Sequence, residues 1–319
     1  MAGGGGSGGG GVNGPAPALG APEWVGSELV APAPAKLNLF LHITGRRSDG
    51  MHELQTLFQF LDWGDRLRLQ ALAEPRFERA TPLPGVDPEA DLTLRAARLL
   101  ADEVGHPGGV RVAVDKQLPL GGGLGGGSSD AATVLLVLNR LWQCGLSPAA
   151  LAALGARLGA DVPVFIGGTA AWAEGVGERL TPVADLAEPW YLLVWPRGAE
   201  VSTAAAFGDP ALTRNHPTVK ITDFYEGRCG NDFTTVVEKR HPEIGRARAW
   251  LDEQADAPAR LTGSGACVFA PFTERAGARE AFGRVPTGWG AAVARGRNRH
   301  PLAEWAFTTV ASPRGAAPV

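Results

Sequence analysis

The feature that most constrains this chain is a glycine-rich stretch in its first half. Residues 119–131 read PLGGGLGGGSSDA, so six glycines flank a single leucine. Glycine reaches positive φ without steric cost and lets the backbone approach a ligand closely. Ser128, Ser129 and Asp130 offer N-cap and first-turn chemistry for the helix expected next. Because a helix N-terminus presents free N–H groups and positive potential, the stretch predicts a phosphate-binding loop. The alternative is a flexible surface loop, which the apolar helix following without a gap disfavours.

Two familiar phosphate-loop motifs fit this stretch poorly. A P-loop has a lysine and then a serine or threonine after its last glycine, and neither pair is present. The dinucleotide pattern G-x-G-x-x-G matches at Gly121, Gly123 and Gly126. That motif also requires a strand running directly into the glycines and an acid about twenty residues later. Residues 118–120 intervene instead, and the segment near Gly145 carries no acid. We therefore expect a third type of phosphate loop.

Composition excludes several classes of function. The length of 319 residues indicates about two domains, and a net charge of −3 argues against a nucleic-acid partner. No uncharged apolar run reaches the roughly 18 residues of a membrane helix. The three cysteines, Cys144, Cys229 and Cys267, are far apart and odd in number, which is typical of reduced thiols. No basic residue precedes Lys36 to start a signal peptide, so the sequence predicts a cytoplasmic protein.

The N-terminal segments differ sharply in pattern. Residues 1–25 are rich in Gly, Ala and Pro, which predicts a disordered tail outside the fold. Residues 34–43 alternate polar and apolar side chains as a strand does, with Lys36 and Asn38 on one face. Lysine beside asparagine suits contacts with anions and hydroxyls, although a solvated strand face shows the same pattern. His52 follows a turn, where it either meets a ligand or is simply exposed. The apolar face of the strand carries Leu37, Leu39, Leu41 and Ile43.

Helices and strands alternate through the rest of the chain, which predicts an α+β protein of two domains with its site between them. The domains are expected over residues 26–187 and 188–306, followed by a tail over 307–319. The helix beginning at Ala131 is apolar on both faces, so it is expected to be buried. The predicted helices cover residues 91–104, 131–142, 148–158 and 242–256. The predicted strands include residues 110–114, 169–174 and 190–195.

Two further features allow two interpretations each. Asp161 stands alone between the end of a helix and an apolar segment, so it is either a cap or a functional carboxylate in a cleft. Residues 261–269 read LTGSGACVF, which predicts a glycine turn entering a buried strand. Within that turn, residues 263–265 either pack against their surroundings or line the phosphate cleft from the second domain.

Three segments carry a resemblance to a known family: residues 34–39 (PAKLNL), 119–131 and 159–163 (GADVP). Together they resemble the small-molecule kinases related to galactokinase, homoserine kinase and mevalonate kinase. The resemblance implies a two-domain α+β kinase fold with the site in the interdomain cleft. It narrows to the branch whose acceptor is a methylerythritol linked to cytidine diphosphate, and it extends over about residues 30–305. The additional matching segments are residues 45–52, 174–178, 207–210, 231–233 and 261–269.

The resemblance also implies roles for individual residues. Asp161 matches the catalytic aspartate of that family and Lys36 matches its charge partner. Asn38 and His52 match groups that hold the cytidine end and the acceptor side of the substrate, and Phe207 matches an aromatic ring that stacks on cytosine. The residues matched to ATP binding are Lys116, Pro119, Leu120, Gly121, Gly122, Gly123, Leu124, Gly125, Gly126, Gly127, Ser128 and Ser129.

One position departs from the family pattern. Met51 stands where the family usually has a tyrosine that forms the second face of the cytosine sandwich. Methionine is flexible and polarisable and can still cover a ring face, so Met51 is counted among the substrate-binding residues. The departure bears on affinity for cytidine rather than on phosphoryl transfer.

The implied activity is ATP-dependent phosphorylation of the acceptor's 2-hydroxyl in non-mevalonate isoprenoid biosynthesis, with Mg²⁺ offsetting the phosphate charge. Asp161 would accept or orient the hydroxyl proton. No protein ligand of Mg²⁺ is assigned, and Ser128, Ser129 and Asp130 stay open candidates. Three alternatives remain at this point. They are another kinase of the family acting on homoserine, mevalonate or a sugar, a dinucleotide-binding oxidoreductase, and a nucleotide-binding module without activity.

Overall fold

The computed structural model describes residues 19–80, 82, 87 and 89–308. Residues 1–18 of the tail predicted at the N-terminus lie outside them, as do residues 309–319 of the tail predicted at the C-terminus. Residues 19–25 are described, and Glu23–Val25 pair with residues 28–30 in an antiparallel hairpin. The ordered chain therefore begins before residue 26.

The described chain forms eleven strands and ten helices, in an order that mixes the two types. The strands are β1 (Glu23–Val25), β2 (Glu28–Arg46), β3 (His52–Leu72), β4 (Phe77–Arg79), β5 (Gly109–Asp115), β6 (Ala171–Glu174), β7 (Arg179–Pro182), β8 (Trp190–Pro196), β9 (Arg260–Leu261), β10 (Val268–Phe272) and β11 (Trp289–Arg297). The helices are α1 (Leu92–Val104), α2 (Gly126–Leu141), α3 (Pro148–Ala156), α4 (Val162–Gly167), α5 (Thr203–Phe207), α6 (Ile221–Tyr225), α7 (Thr234–Arg240), α8 (Pro242–Gln254), α9 (Arg275–Phe282) and α10 (Ala303–Phe307). None of these helices is long and apolar enough to cross a bilayer.

A long antiparallel pair, β2 and β3, forms the centre of the N-terminal half, and β5 pairs with β3 beside it. Helices α1 and α2 pack on this sheet, and their apolar side chains share one buried cluster with those of the strands. Most residues of α2 are buried, as its two apolar faces predict. Since burying one Leu or Val side chain contributes about 1.5–3 kcal/mol, packing holds α2 firmly in place. The position of its N-terminus is fixed in the same way.

The pairing of β2 with β3 shifts register at three places, between Pro34 and Lys36, between Asn38 and Leu41, and between Ile43 and Gly45. At the first place the extra residues lie on β3, whereas at the other two β2 carries one extra residue. Lys36 and Asn38, between the first two shifts, face the cleft, while Leu37 and Leu39 pack into a separate apolar cluster behind the strand. A single extra residue in a strand moves the side chains that follow it to the opposite face. The continuous alternation predicted from the sequence is therefore wrong beyond Asn38, because Leu41 packs into the C-terminal core.

The C-terminal half extends the same sheet. β11 pairs with β3 and with β8, and β8 is followed by β10 and β9. Helices α8 and α9 supply apolar side chains to a second buried cluster. The glycine turn predicted within residues 261–269 is confirmed, since it joins β9 to the buried strand β10. The division at residue 187 stays a prediction, because the β3–β11 pairing joins both halves in one sheet.

A buried histidine near the C-terminus gives the fold a predictable acid response. His300 is 2% exposed, its Nδ1 accepts the N–H of Leu302, and its ring meets Phe60 and Phe165 edge-on. Burial lowers the pKa of His300 from 6.5 to about 3. Below pH 6.5 the unfolded chain therefore binds a proton that the folded chain excludes, so stability falls as the pH falls.

We expect this histidine to cost the wild-type chain about 2 kcal/mol of unfolding free energy between pH 7.5 and pH 5.0. His300→Asn keeps a hydrogen-bond acceptor near Nδ1 but cannot take up the proton. The free energy of unfolding of the wild type minus that of His300→Asn should therefore be smaller at pH 5.0 than at pH 7.5 by that amount. Urea unfolding at the two pH values measures this difference. His106→Asn is the matched control, because His106 makes the same bond to the N–H two residues on but is partly exposed. An advantage of equal size at both pH values would contradict the prediction.

Candidate active site

A buried lysine and a carboxylate face each other in the cleft. Lys36 lies on β2 with 3% of its side chain exposed, and its Nζ donates hydrogen bonds to Asn38 Oδ1 (2.6 Å) and Gly123 O (3.0 Å). Asp161 Oδ2 lies 3.3 Å from the same nitrogen. A buried ammonium group is costly unless it is paired and hydrogen-bonded, and these three oxygens meet that requirement.

Asp161 occupies the N-cap position of α4 without capping it. Its backbone is helical (φ −85°, ψ −12°), and its side chain makes no hydrogen bond to the helix. About a third of the side chain is exposed (34%), and its ion-pair partner is Lys36. Of the two interpretations of Asp161, the structure excludes the side-chain cap. The carboxylate is instead open to a ligand on its exposed side.

The glycine loop is held between β2 and the turn that joins β9 to β10. Gly123 and Gly125 have positive φ of 74° and 71°, a region that non-glycine residues seldom adopt. A Cβ atom at Gly123 would lie 2.2 Å from Thr262 O, so only glycine fits against that turn. The backbone N–H of Lys36 donates to Leu124 O (3.0 Å), which ties the loop to β2. The loop is therefore fixed on both sides.

Helix α2 begins earlier than the sequence predicts. Its N-cap is Gly125 in the left-handed region, with no side-chain cap, and Gly126 is already helical. The prediction that residues 128–130 provide the cap is wrong, because the glycine conformation starts the helix without one. The first N–H groups of α2 therefore lack a capping side chain, which leaves them for an anion. Gly125 and Ser128 lie on the cleft wall, whereas Ser129 is fully buried.

Lys116 forms a buried charge cluster beneath the start of α2. Its Nζ lies 2.6 Å from Asp65 Oδ2 and 2.8 Å from Asp130 Oδ2. Asp65 Oδ1 also accepts the N–H groups of Gln117 and Leu118, which lead into the glycine loop. Burial raises the pKa of Asp130 to about 7, with the charge of Lys116 opposing the rise. The cluster fixes both ends of the loop, and Asp130 acts as a partner of Lys116 rather than as a cap.

The far end of the cleft is aromatic. His52 and Phe207 stack with ring centroids 4.6 Å apart and planes 21° apart. Arg214 joins them by donating to His52 Nε2 (3.3 Å) and Phe207 O (2.6 Å). Burial lowers the pKa of His52, and the positive charges of Arg214 and Arg46 add to that effect. Met51 lies beside them and is half exposed (50%). No local sequence pattern marks Arg214 as part of this site.

One cavity of about 730 Å³ connects the Lys36–Asp161 pair, the cleft side of the glycine loop and the His52–Phe207 stack. Its wall also includes Gly263 and Ser264 but not Gly265, so the turn both lines the cavity and packs closely against the glycine loop. The predicted site residues on the wall are Lys36, Asn38, Met51, His52, Gly123, Gly125, Ser128, Asp161 and Phe207. The predicted residues that do not line it are Lys116, Pro119, Leu120, Gly121, Gly122, Leu124, Gly126, Gly127 and Ser129.

Among the residues that the structure describes, one group of three side chains could in principle ligate a metal: His42, His216 and Asp232. The two imidazole rings are stacked, with centroids 3.6 Å apart and planes 13° apart. A single ion cannot lie in both ring planes in that arrangement. His216 Nδ1 instead pairs with Asp232 Oδ1 (2.9 Å), and burial lowers the pKa of His42 to about 4. This cluster is a packing contact between β2 and two loops, the one between α5 and α6 that carries His216 and the one between α6 and α7 that carries Asp232.

Comparison with known proteins shows the family to which this chain belongs. Residues 91–169 match the model of the GHMP kinases N terminal domain, and residues 220–291 match that of the GHMP kinases C terminal domain. The 4-diphosphocytidyl-2-C-methyl-D-erythritol kinase of Halorhodospira halophila is 52% identical over 86% of this chain and 94% of its own length. The enzyme of the same name from Pseudomonas aeruginosa strain LESB58 is 54% identical over 85% of this chain and 94% of its own length. This chain belongs to the 4-diphosphocytidyl-2-C-methyl-D-erythritol kinase family.

Solved structures place this kinase family within a wider fold. A crystal structure of 4-(cytidine 5'-diphospho)-2C-methyl-D-erythritol kinase superposes with a TM-score of 0.73 at 33% identity, covering 84% of this chain and 99% of that one. Mevalonate kinase of Methanococcus jannaschii superposes with a TM-score of 0.59 at 15% identity, covering 86% and 99%, and shows the shared fold alone. Membership in a kinase family confirms the predicted family and the α+β kinase fold, and it argues against the dinucleotide-binding alternative. The roles of individual residues stay predictions.

Proposed function

We propose that this protein transfers the γ-phosphoryl group of ATP to the 2-hydroxyl of 4-diphosphocytidyl-2-C-methyl-D-erythritol. One observation carries the proposal. The Lys36–Asp161 pair lies in a single cavity, between the glycine loop and helix start on one side and the His52–Phe207 stack on the other. The names of the relatives supply the identity of the acceptor. The step belongs to non-mevalonate isoprenoid precursor biosynthesis.

The donor half of the site is the glycine loop with the start of α2. The free N–H groups of α2 and the positive end of its dipole bind the ATP phosphates. Mg²⁺, when bound with ATP, offsets the phosphate charge. Of the three candidate ligands, Ser128 is the one on the cavity wall, since Asp130 is paired with Lys116 and Ser129 is buried. Lys116 supports ATP binding from beneath the loop, through Asp65 and Asp130, rather than by touching phosphate.

The transfer centre consists of Asp161 and Lys36. Asp161 orients the 2-hydroxyl and accepts its proton as the oxygen attacks the γ-phosphorus, while the bond from that phosphorus to the β–γ bridging oxygen breaks and ADP leaves. Lys36 neutralises the carboxylate at 3.3 Å and stabilises negative charge on the transferring group. Asn38 fixes the position of Lys36 through the 2.6 Å bond and itself donates to Thr56 Oγ1 (2.9 Å). Because these hydrogen bonds already hold the side chains in place, the side chains need little rearrangement during the reaction.

The aromatic end of the cavity binds the cytidine. Phe207 supplies a ring face for the base, and Met51 covers the opposite side with its flexible thioether. In the described arrangement the His52 ring lies on Phe207 at 4.6 Å, so it moves aside when the base enters. Arg214 limits that movement, because it holds both His52 and the Phe207 backbone. We place the protein in the cytoplasm, in accord with its three free cysteines.

The proposal is tested by ADP release with Mg-ATP and a panel of acceptors. We expect turnover with 4-diphosphocytidyl-2-C-methyl-D-erythritol and none above the acceptor-free rate with homoserine, mevalonate or galactose. Phe207→Ala should raise KM for the acceptor at least tenfold while leaving KM for ATP unchanged, since the ring lies away from the phosphate loop. Turnover with one of the other acceptors, or no ADP release with any of them, would contradict the proposal.

A further inference from the structure

A second cavity of about 310 Å³ lies behind the catalytic strand. Successive side chains of a strand point to opposite faces, so Leu39 faces this cavity while Asn38 faces the catalytic cleft. Its wall is almost entirely apolar and aromatic, with Tyr191 from β8, Phe224 from α6 and Phe269 from β10. A cavity of this size is at the small end of the range for ligand pockets, about 300–1,000 Å³.

The one charged side chain on this wall is Arg260, at the start of β9. It is partly buried, one of its terminal nitrogens donates to Leu39 O (2.9 Å), and its guanidinium lies 6.0 Å from the centre of the Phe224 ring. No carboxylate among residues 19–80 and 89–308 forms an ion pair with it. Burial lowers the pKa of Arg260, and the nearby Cys229 and Tyr191 oppose that effect.

An unpaired guanidinium on an apolar wall is unusual, because removing a charge from water costs free energy that a partner normally offsets. The fork of N–H groups on arginine matches the two oxygens of an acid group. The remaining donors of Arg260 are therefore available to an anion inside an apolar surrounding. The cavity therefore suits a molecule that has both an acid group and an apolar body.

We propose that this second cavity binds a small amphiphilic anion, whose apolar body fills the cavity and whose acid group pairs with Arg260. Arg260 is two residues from Thr262, whose hydroxyl accepts the N–H of Asn38 (2.9 Å). Arg260 also holds the carbonyl of Leu39, the next residue along. The ligand thus touches the strand that carries Lys36 and Asn38 from its rear face. Binding should lower kcat without competing with ATP or the acceptor.

The test is a fluorescence titration of the full-length protein with 8-anilinonaphthalene-1-sulfonate. Saturating Mg-ATP analogue and CDP keep the catalytic cleft filled, so the probe reports other sites. We expect one saturable site, from which decanoate displaces the probe and decanol of the same chain length does not. No saturable binding under these conditions, or equal displacement by decanol, would overturn the proposal.

Three variants locate the binding. Arg260→Gln should weaken binding at least tenfold, and Ala257→Trp, which fills the cavity from a loop position on its wall, should abolish it while leaving catalysis intact. Arg228→Gln is the matched control, because Arg228 lies on a neighbouring loop, pairs with Asp223 and does not line the cavity. Unchanged affinity in both Arg260→Gln and Ala257→Trp, or an equal loss in Arg228→Gln, would overturn the assignment.

Discussion

Asp161→Asn is expected to lower kcat by roughly 10²–10⁴-fold while leaving the affinity for an ATP analogue within about twofold. Asparagine keeps the shape of the side chain but cannot accept the proton of the attacking hydroxyl. It also leaves Lys36 without its charge partner at 3.3 Å. Because the proposed phosphate donors are backbone N–H groups of the glycine loop and the start of α2, which this substitution leaves in place, the binding of the phosphates should not change. Steady-state kinetics and a fluorescent ATP analogue measure the two quantities separately.

The control for that variant is Asp185→Asn. Asp185 is an exposed aspartate that does not line the cavity, so the same chemical change there should leave kcat unaltered. Near-normal kcat in Asp161→Asn, with the acceptor saturating, would remove Asp161 from the catalytic role. A joint loss of kcat and of ATP affinity would show that Asp161 mainly supports the fold of the cleft.

Gly123→Ala is expected to lower kcat/KM for ATP at least about 100-fold, the second-largest effect. A Cβ there would lie 2.2 Å from Thr262 O and 3.1 Å from Gly265 O, both backbone atoms that cannot move independently. The loop must then move away from the β9–β10 turn. Lys36 loses the Gly123 carbonyl that accepts its 3.0 Å hydrogen bond. The substitution therefore disturbs both the position of the bound ATP and the position of the Lys36 charge beside Asp161.

Gly121→Ala is the matched control in the same loop. Gly121 has a positive φ of 66°, close to the 74° of Gly123, but a Cβ at Gly121 would meet no atom within 4 Å. The two variants therefore share the backbone strain, about 1–2 kcal/mol, and differ only in the clash. We expect Gly121→Ala to lose less than about fivefold in kcat/KM for ATP. Equal losses in both variants would contradict the close contact at Gly123.

Local signals in the sequence were sufficient for several parts of the site. The glycines of residues 121–127 predict a phosphate loop, because few other roles need so many residues free of a Cβ, and Gly123 and Gly125 lie on the cavity wall. The alternation around Lys36 and Asn38 placed both on one face, and they do share the cleft wall. Asp161 was identified as an isolated polar residue beside an apolar segment. Its pairing with Lys36 came from the family resemblance and not from spacing.

Other parts depend on contacts between distant segments, which no local pattern encodes. The extra residue in β2 after Asn38, beyond which Leu41 packs into the C-terminal core, is set by the register of β2 against β3. Helix α2 starts at Gly126 rather than at the predicted Ala131, because Gly125 adopts a left-handed conformation that replaces a side-chain cap. Lys116 turned out to be paired with two buried carboxylates, one of them 51 residues away along the chain. The contacts of Arg214 with His52 and Phe207, and of Arg260 with Leu39, join segments far apart along the chain, so no local pattern predicts them.

Phosphorus-31 NMR of the reaction product tests the proposed phosphoryl transfer most directly. Carbon 2 of the acceptor carries a methyl group and no hydrogen, so a phosphate on its oxygen has no proton three bonds away. Purified protein, Mg-ATP and 4-diphosphocytidyl-2-C-methyl-D-erythritol should give one new monoester resonance that stays a singlet without proton decoupling, with the diphosphate resonances of the acceptor retained. A doublet or triplet would place the phosphate on another hydroxyl. Free inorganic phosphate alone, or no new resonance, would contradict the transfer itself.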